Sequence, residues 1–403
     1  MNISDVKTIA ILGRQPALGI AELESLYGSE HILPYGKHGC FADIPYQDID
    51  FQRLGGSVRL TTLVAPLPST SWQAIEKYLI KHIPDTLEHS TGKISYGLSV
   101  YGLSVSGKNV AKTALLLKKA IKATGVSVRM VPHKNTELGS ATVLYNKLTS
   151  ENGREYVVVS NGSSAYLAQT VCIQDIDAYA ERDQARPHRD AKVGMLPPKL
   201  AQIIINLAVG NINQLKKSKS DTLILDPFCG TGVLLQEATL MDYDVFGTDL
   251  EPRMVQYSID NLTWLDAQYP DRGDYRRVEV GDATKHKWHN PEKITNVAGE
   301  TYLGQPLSSL PNSEHLSTIM HDVNQLHHRF LHNIGQQILP GTRLCLAIPT
   351  WRGKHEFLHL SVLDYLDDLG YTRMSFKHVA NEDLIYHREN QVVGRELLVL
   401  EKR

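Results

Sequence analysis

Between His89 and Thr136 there is neither aspartate nor glutamate. The same stretch holds eight basic residues: Lys93, Lys108, Lys112, Lys118, Lys119, Lys122, Arg129 and Lys134. The whole chain of 403 residues has a net charge of only -2, so everything outside that stretch is acidic by ten charges. Such an asymmetry points to a polyanionic partner. Other absences exclude other classes. No apolar run approaches the roughly 20 residues that a membrane helix requires. The opening "MNISDVKTIAILG" lacks the basic start and apolar core of a signal peptide and reads as a buried first strand. Cys40, Cys172, Cys229 and Cys345 lie far apart, with no CxxC pair, so neither a zinc site nor a disulfide framework is expected. A reducing cytoplasm is the simplest setting. There is no long repeat and no low-complexity tract.

Within the acid-free stretch, "GKNVAKTALLLKKAIKATG" reads as a helix from near Lys108 to a C-terminal stop at Gly125. At 3.6 residues per turn, Val110, Ala114, Leu117 and Ile121 share one face. Lys108, Lys112, Lys119 and Lys122 gather on the other. "ISYGLSVYGLSV" before it and "VSVRMV" after it read as strands, so the unit is β-α-β with its lysines toward solvent. Many lysine faces are merely solvated. The lack of any balancing acid favours phosphate contact here.

Upstream, "KTIAILG" reads as a strand and "PALGIAELESLYG" as an amphipathic helix. "YVVVSNGSSAYLAQTVCI" reads as two strands turning at Asn161-Gly162. "ERDQARPHRDAKVGMLPP" is polar, carries both signs of charge and reads as a linker. "PPKLAQIIINLAVG" opens a new helix with Pro198 in its first turn and Leu200, Ile203, Ile204, Leu207 and Ala208 as its buried stripe. "KKSKSD" reads as an exposed connector.

The segment "DTLILDPFCGTGVLLQEATLMDYDVFGTDLEPRMVQYSIDNL" carries the most information. It reads as strand, glycine turn, helix, strand and helix, the opening of a nucleotide-binding α/β sheet. Ligands lie at the carboxyl ends of such strands, here beside Asp226, Gly230, Gly232 and Asp249. The dinucleotide fingerprint would need a small residue where Leu235 stands. An acid at the end of the first strand would also repel a pyrophosphate. Asp226 suits a ligand with an ammonium group, and S-adenosylmethionine has both an ammonium and a sulfonium. Asp249 can take the ribose hydroxyls. A third strand, "VEVGDATKHKW", places Asp282 to accept from the adenine amine. With Phe228, Leu250 and Ala283 beside these acids, the expected cofactor set is complete. Helix capping and turn formation would account for the same residues without a ligand, but the strand-turn-helix context favours binding.

"DPFCGTG" followed by "GTDLEPRMVQYSIDNL" resembles class I S-adenosylmethionine-dependent methyltransferases. "RDAKVGMLPPKLAQIIINLA", "ILGRQPALGIAELESL" and "QDIDAYAERDQARPHRD" resemble the THUMP-containing tRNA guanine-N2 methyltransferases of the guanosine-10 type. The likeness covers most of the chain and is weakest at about 30–90 and 305–340. It implies an α/β protein with a ferredoxin-like domain at 1–80, a THUMP domain at 81–178, a linker at 179–197 and a Rossmann-like catalytic domain at 198–403. The antiparallel end of the catalytic sheet is expected in the hairpin "EDLIYHRENQVVGRELLVLEK". The resemblance further implies tRNA as substrate, with Lys108, Lys112, Lys119, Lys122, Arg129, Arg186 and Arg189 as the RNA-contact set. A partner subunit stays open.

"NVAGETYLG", residues 296–304, stands where that family carries Asp-Pro-Pro-Tyr. There the acid and the adjacent carbonyl accept from the target amine, and the aromatic ring stacks on the base. Glu300, one methylene longer than the family's acid, is the expected acceptor, and Tyr302, one position earlier than the family's aromatic, the expected stacking face. Both prolines are missing. Two alternatives therefore stand beside methyl transfer to guanine N2: a tRNA-binding protein without chemistry, and an amine methyltransferase acting on DNA or protein. In "GTRLCLAIPTW", Trp351 reads as core rather than as a stacking platform.

Overall fold

The computed structural model describes residues 3–403 apart from 89, 91, 133, 191–195, 213–220, 271, 274, 306, 308, 355 and 390. Most of "KKSKSD", and Met195 ahead of the paired prolines, therefore lie outside the described residues. The chain divides into two compact units. One holds residues 1–20, 29–52 and 56–177; the other holds 21–28, 53–55 and 178–403.

The first unit contains strands β1 (Thr8–Leu12), β2 (Ile32–Tyr35), β3 (Gly39–Ala42), β4 (Ser57–Pro66), β5 (Ile94–Tyr101), β6 (Val128–Met130), β7 (Gly153–Ser160) and β8 (Ala165–Ile173). Its helices are α2 (Trp72–His82), α3 (Gly107–Ala123) and α4 (Ser140–Tyr145), and it shares α1 (Pro16–Tyr27) with the second unit. All eight strands form one sheet, in the order β2-β3-β1-β4-β8-β7-β5-β6. The expected ferredoxin-like and THUMP stretches are thus joined edge to edge, because β4 pairs antiparallel with β8. β5 and β6 run parallel with α3 as their crossover, the β-α-β unit expected from the sequence. Val110, Ala114, Leu117 and Ile121 are buried in the core of this unit. The Ser106 hydroxyl caps the helix by accepting from the Asn109 amide.

The longest stretch of the second unit begins within α5 (Ile176–Ala180), which runs into a wide helical turn over Glu181–Ala185. It continues with α6 (Pro198–Val209), β9 (Leu223–Asp226), α7 (Val233–Leu240), β10 (Asp244–Asp249), α8 (Pro252–Gln268), β11 (Arg276–Val280), β12 (Ile294–Glu300), α9 (Ser313–Gly335), β13 (Arg343–Arg352), β14 (Phe357–Leu358), β15 (Tyr371–Arg373), β16 (Ile385–Tyr386) and β17 (Val393–Lys402). The main sheet runs β11-β10-β9-β12-β13-β17-β15. β9 to β13 are parallel to one another, whereas β17 is antiparallel to both β13 and β15. This is the expected Rossmann-like sheet, with the last strand of the chain antiparallel to its neighbours. "LILD" and "CLAIPTW" are continuous apolar runs because such strands are covered on both faces. On one face α9 sends Leu316, Val323, Phe330, Leu331 and Ile334 into the core.

Two expectations change in detail. The strand that flanks β17 in the sheet is Tyr371–Arg373, not the start of the expected hairpin; Ile385–Tyr386 pairs with β17 only over two residues, off the main path. A three-residue strand is too short to show a period. Helix α6 has no exposed face: Ala201, Gln202, Ile205, Asn206 and Val209 are buried along with the expected stripe. Trp351 is fully buried, as core.

Candidate active site

A cavity of about 580 Å³ opens in the second unit. Its lining includes Asp226 from β9, Asp249 from β10, Asp282 just past β11 and Glu300 from β12. The carboxyl ends of four neighbouring parallel strands thus converge, at the place an open α/β sheet reserves for ligands. Phe228, Gly230, Leu250, Ala283 and Tyr302 line the same space. Gly232 starts α7 at φ 81°, and a Cβ there would lie 2.9 Å from Ser258 Oγ. Only glycine accommodates that turn.

The acids differ in what already holds them. Asp226 is buried, and its Oδ1 accepts from the Phe228 amide at 3.1 Å. Burial drives its carboxyl well above the ordinary range, with Asp249 and Glu300 adding repulsion. Gly299 leaves room for it, since a Cβ at 299 would come within 2.8 Å of Asp226 Oδ1. Asp249 accepts from the amides of Gly230 and Glu251, both at 2.9 Å, which fixes its carboxylate across the glycine turn. Burial still raises its pKa. Asp282 accepts from the amide and hydroxyl of Thr284, with the Lys285 ammonium 3.4 Å away; these contacts hold its pKa below the usual value. Each carboxylate has lone pairs beyond these contacts.

The segment after β12 is held from two sides. Glu300 Oε1 accepts from Arg395 Nε of β17, in a pair that is largely buried. Thr301 bonds His327 of α9. Tyr302 is 46% exposed at the cavity wall. Leu250 is 70% exposed beside Asp249. Arg395, His327 and Thr301 carry no sequence signal that reading along the chain would find. Arg395 lies 95 residues from its partner, and His327 is one of several histidines on α9.

In the first unit, Lys108, Lys112, Lys119 and Lys122 are exposed on one side of α3, and Arg129 on β6 is exposed and donates to Asn146. In the second, Arg189 is exposed. Arg186 departs from the expected contact set. It is 3% exposed, and burial pulls its guanidinium pKa down. The reason lies in the supposed linker. Arg182 is drawn into an ion pair with the fully buried Glu237, and His188 bonds Asn261 through its amide and Asp260 through its ring. The intervening Arg186 is carried inside, where it cannot present itself to a phosphate.

Residues 189–364 match the family model described as UPF0020, RMKL-like, methyltransferase domain. The matched residues hold strands β9 to β14 and every residue named at the cavity. Over 208 residues the chain is 29% identical to a tRNA (guanine(10)-N2)-dimethyltransferase of Pyrococcus abyssi, covering 52% of this chain and 50% of that one. Over 169 residues it is 30% identical to the protein of the same name from Methanothermobacter thermautotrophicus, covering 41% of this chain and 43% of that one. The chain thus spans about half the length of these curated relatives or less. The crystal structure of TrmN from Thermus thermophilus aligns over 98% of this chain and 99% of its own, with a TM-score of 0.55 at 17% identity. A possible methylase of Clostridium difficile aligns over 98% and 97%, with a TM-score of 0.52 at 12% identity. At those identities the likeness is one of fold, and it extends over both units. Among the described residues no helix is long and apolar enough to cross a membrane, and no cluster of side chains could hold a metal ion.

Proposed function

We propose that this protein is an S-adenosylmethionine-dependent tRNA methyltransferase that acts on the exocyclic N2 amine of guanosine-10 in the cytoplasm. The observation that carries the reading is the cavity onto which Asp226, Asp249, Asp282 and Glu300 all open. Its volume lies within the usual range for small-molecule sites, about 300–1,000 Å³. The chemistry of the acids fits the cofactor. A fully buried carboxyl with a raised pKa is an expensive anion until a cation arrives, and an ammonium group beside Asp226 would supply one. Asp249, held by two amides, would take the ribose hydroxyls; Asp282 and Ala283 would face the adenine; Phe228, Gly230, Gly232 and Leu250 would line the remainder. S-adenosylmethionine, when bound, supplies an electrophilic methyl group.

The chain's own groups would do the rest. Glu300 would accept from the target amine and aim its lone pair, and Tyr302 would stack on the extruded base. The likeness to tRNA (guanine(10)-N2)-dimethyltransferases supports guanine N2 of tRNA as the target. The lysine face of α3 would grip the tRNA from a THUMP domain at 81–178, preceded by a ferredoxin-like domain at 1–80 and followed by the catalytic domain at 198–403. A second reading, a tRNA-binding protein that keeps its cofactor without turnover, draws on the ion pair that already engages Glu300.

Incubation with labelled cofactor and tRNA lacking the modification, followed by mass spectrometry of the nucleosides, tests the reading. Methylated guanosine should appear from tRNA and not from DNA or protein. Its rate should fall on the order of a hundredfold or more in Glu300→Ala, and less in Glu300→Gln, whose amide oxygen still accepts. No product from the wild type would leave the second reading standing.

A further inference from the structure

Thr301 is the first residue beyond β12 and lines the cavity between Glu300 and Tyr302. It is nearly fully buried, as is His327. Its amide donates to Ala347 O at 3.0 Å. Its hydroxyl lies 2.6 Å from His327 Nε2 and 3.2 Å from Ala347 O. On the other side of the imidazole, Nδ1 lies 2.7 Å from Val323 O, one turn back on α9. A carbonyl can only accept, so Nδ1 carries the proton and Nε2 is the bare nitrogen. The Thr301 hydroxyl thus has two acceptors for its one proton, Nε2 and Ala347 O, and the 2.6 Å contact to Nε2 is the shorter. Burial pushes the imidazole pKa down to about 4, which keeps this tautomer neutral through the physiological range. Next to it, Glu300 Oε1 is taken by Arg395 Nε from β17, where Arg395 pairs with Pro349 of β13.

Two consecutive residues that face the cavity are thus each tied to a side chain from a different, remote element. Beyond Thr301 the sheet ladder ends, and Gly304 turns at φ 84°. Main-chain bonding of the sheet does not fix residues 302–304.

We propose that His327 and Arg395 are positioning residues that hold the segment Glu300–Tyr302 in the arrangement amine transfer requires. The proposal rests on the methyl-transfer reading for its purpose, though not for its geometry. Misplacement of a reacting group by about 1 Å costs on the order of a hundredfold in rate, so a loop of this kind needs side-chain anchors.

Thr301→Val keeps the shape of the side chain and removes only the hydroxyl; Thr301→Ser keeps the hydroxyl. Amide hydrogen exchange of the peptide covering 299–304 reads the anchor directly. In Thr301→Val this peptide should exchange about tenfold faster or more while the rest of the chain is unchanged, and Thr301→Ser should return it to the wild-type rate. In Thr301→Val, kcat for tRNA methylation should fall by about tenfold or more, with KM and cofactor affinity within roughly threefold of wild type. Arg395→Gln should likewise speed exchange in the same peptide. Wild-type exchange and wild-type kcat in Thr301→Val would overturn the proposal. Should the wild type methylate no tRNA, the reading of function falls, and the exchange result alone decides the anchor: faster in Thr301→Val upholds it, unchanged refutes it.

Discussion

Two carboxylates, one in each unit, are removed from water in opposite ways. Glu155 on β7 is fully buried and fully engaged. Its Oε1 accepts from the buried Arg59 guanidinium and from Ser99 at 2.6 Å, and its Oε2 accepts from Thr170 at 2.5 Å. Arg59 in turn donates to Leu138 O at 2.8 Å. Asp226 on β9 is just as buried, yet it has one amide donor, two repelling acids nearby and a cavity in front of it. A buried acid that folding has completed is part of the scaffold. A buried acid that folding leaves short of a cation, at the carboxyl end of a parallel strand, is a place for a cationic ligand. The same residue class is thus fully partnered in one sheet and left facing a cavity in the other.

The largest effect should come from breaking the completed pair. Arg59→Ala strands the Glu155 charge in a dry interior. It should destabilise the first unit by about 3–5 kcal/mol, read as a lowered midpoint in chemical unfolding. If the loss is under about 1 kcal/mol, Glu155 does not belong to the scaffold in this sense.

Asp226→Asn sharpens the contrast, because the two readouts should move apart. Cofactor affinity should drop by the worth of a charge-assisted hydrogen bond, about 1.5–3 kcal/mol, or tenfold and upward by calorimetry. Stability of the ligand-free protein should rise instead. The folded-state pKa of Asp226 is raised, so its contribution is fully present below the ordinary value of 3.8 and is lost as pH climbs through the raised value. The asparagine variant has no such loss. It should therefore be the more stable protein at neutral pH, and the gap should close as pH falls toward that ordinary value. A variant less stable than wild type at neutral pH would put Asp226 with Glu155 in the scaffold class.

The smallest effect per residue concerns charges that stay in water. Replacing Lys108, Lys112 and Lys119 by Gln should leave folding and cofactor binding alone. Each lost phosphate contact should flatten the log-log salt dependence of tRNA binding by about 0.7–0.9. A slope equal to wild type would mean that the lysine face of α3 is only solvated.

Legibility in the sequence tracks how local each feature is. The glycine turn, the three strand-end acids and the buried face of α3 all lie within segments whose period or spacing singles them out, and the structure brings the acids to one cavity. The inward turn of Arg186 was not legible. It depends on Glu237, drawn from a different helix to pair with Arg182. Nor were the anchors of the altered acceptor segment: Arg395 and His327 meet Glu300 and Thr301 only because of where β17 and α9 pack in the folded sheet. The burial of α6 on every side was in principle readable. "AQIIINLAV" has apolar residues around the whole helix, and a search for one stripe stops before seeing it.

The ladder between β4 and β8 bears on how such a protein could have been assembled and how it can be taken apart. A cut near residue 80 would separate the two partners and expose β8, nine residues long, as an open edge that pairs with whatever strand it meets. The lysine-bearing half of the first unit is therefore not a cassette that can be moved alone. Laboratory grafting would have to carry the opening strands with it, so that β8 keeps β4 as its partner.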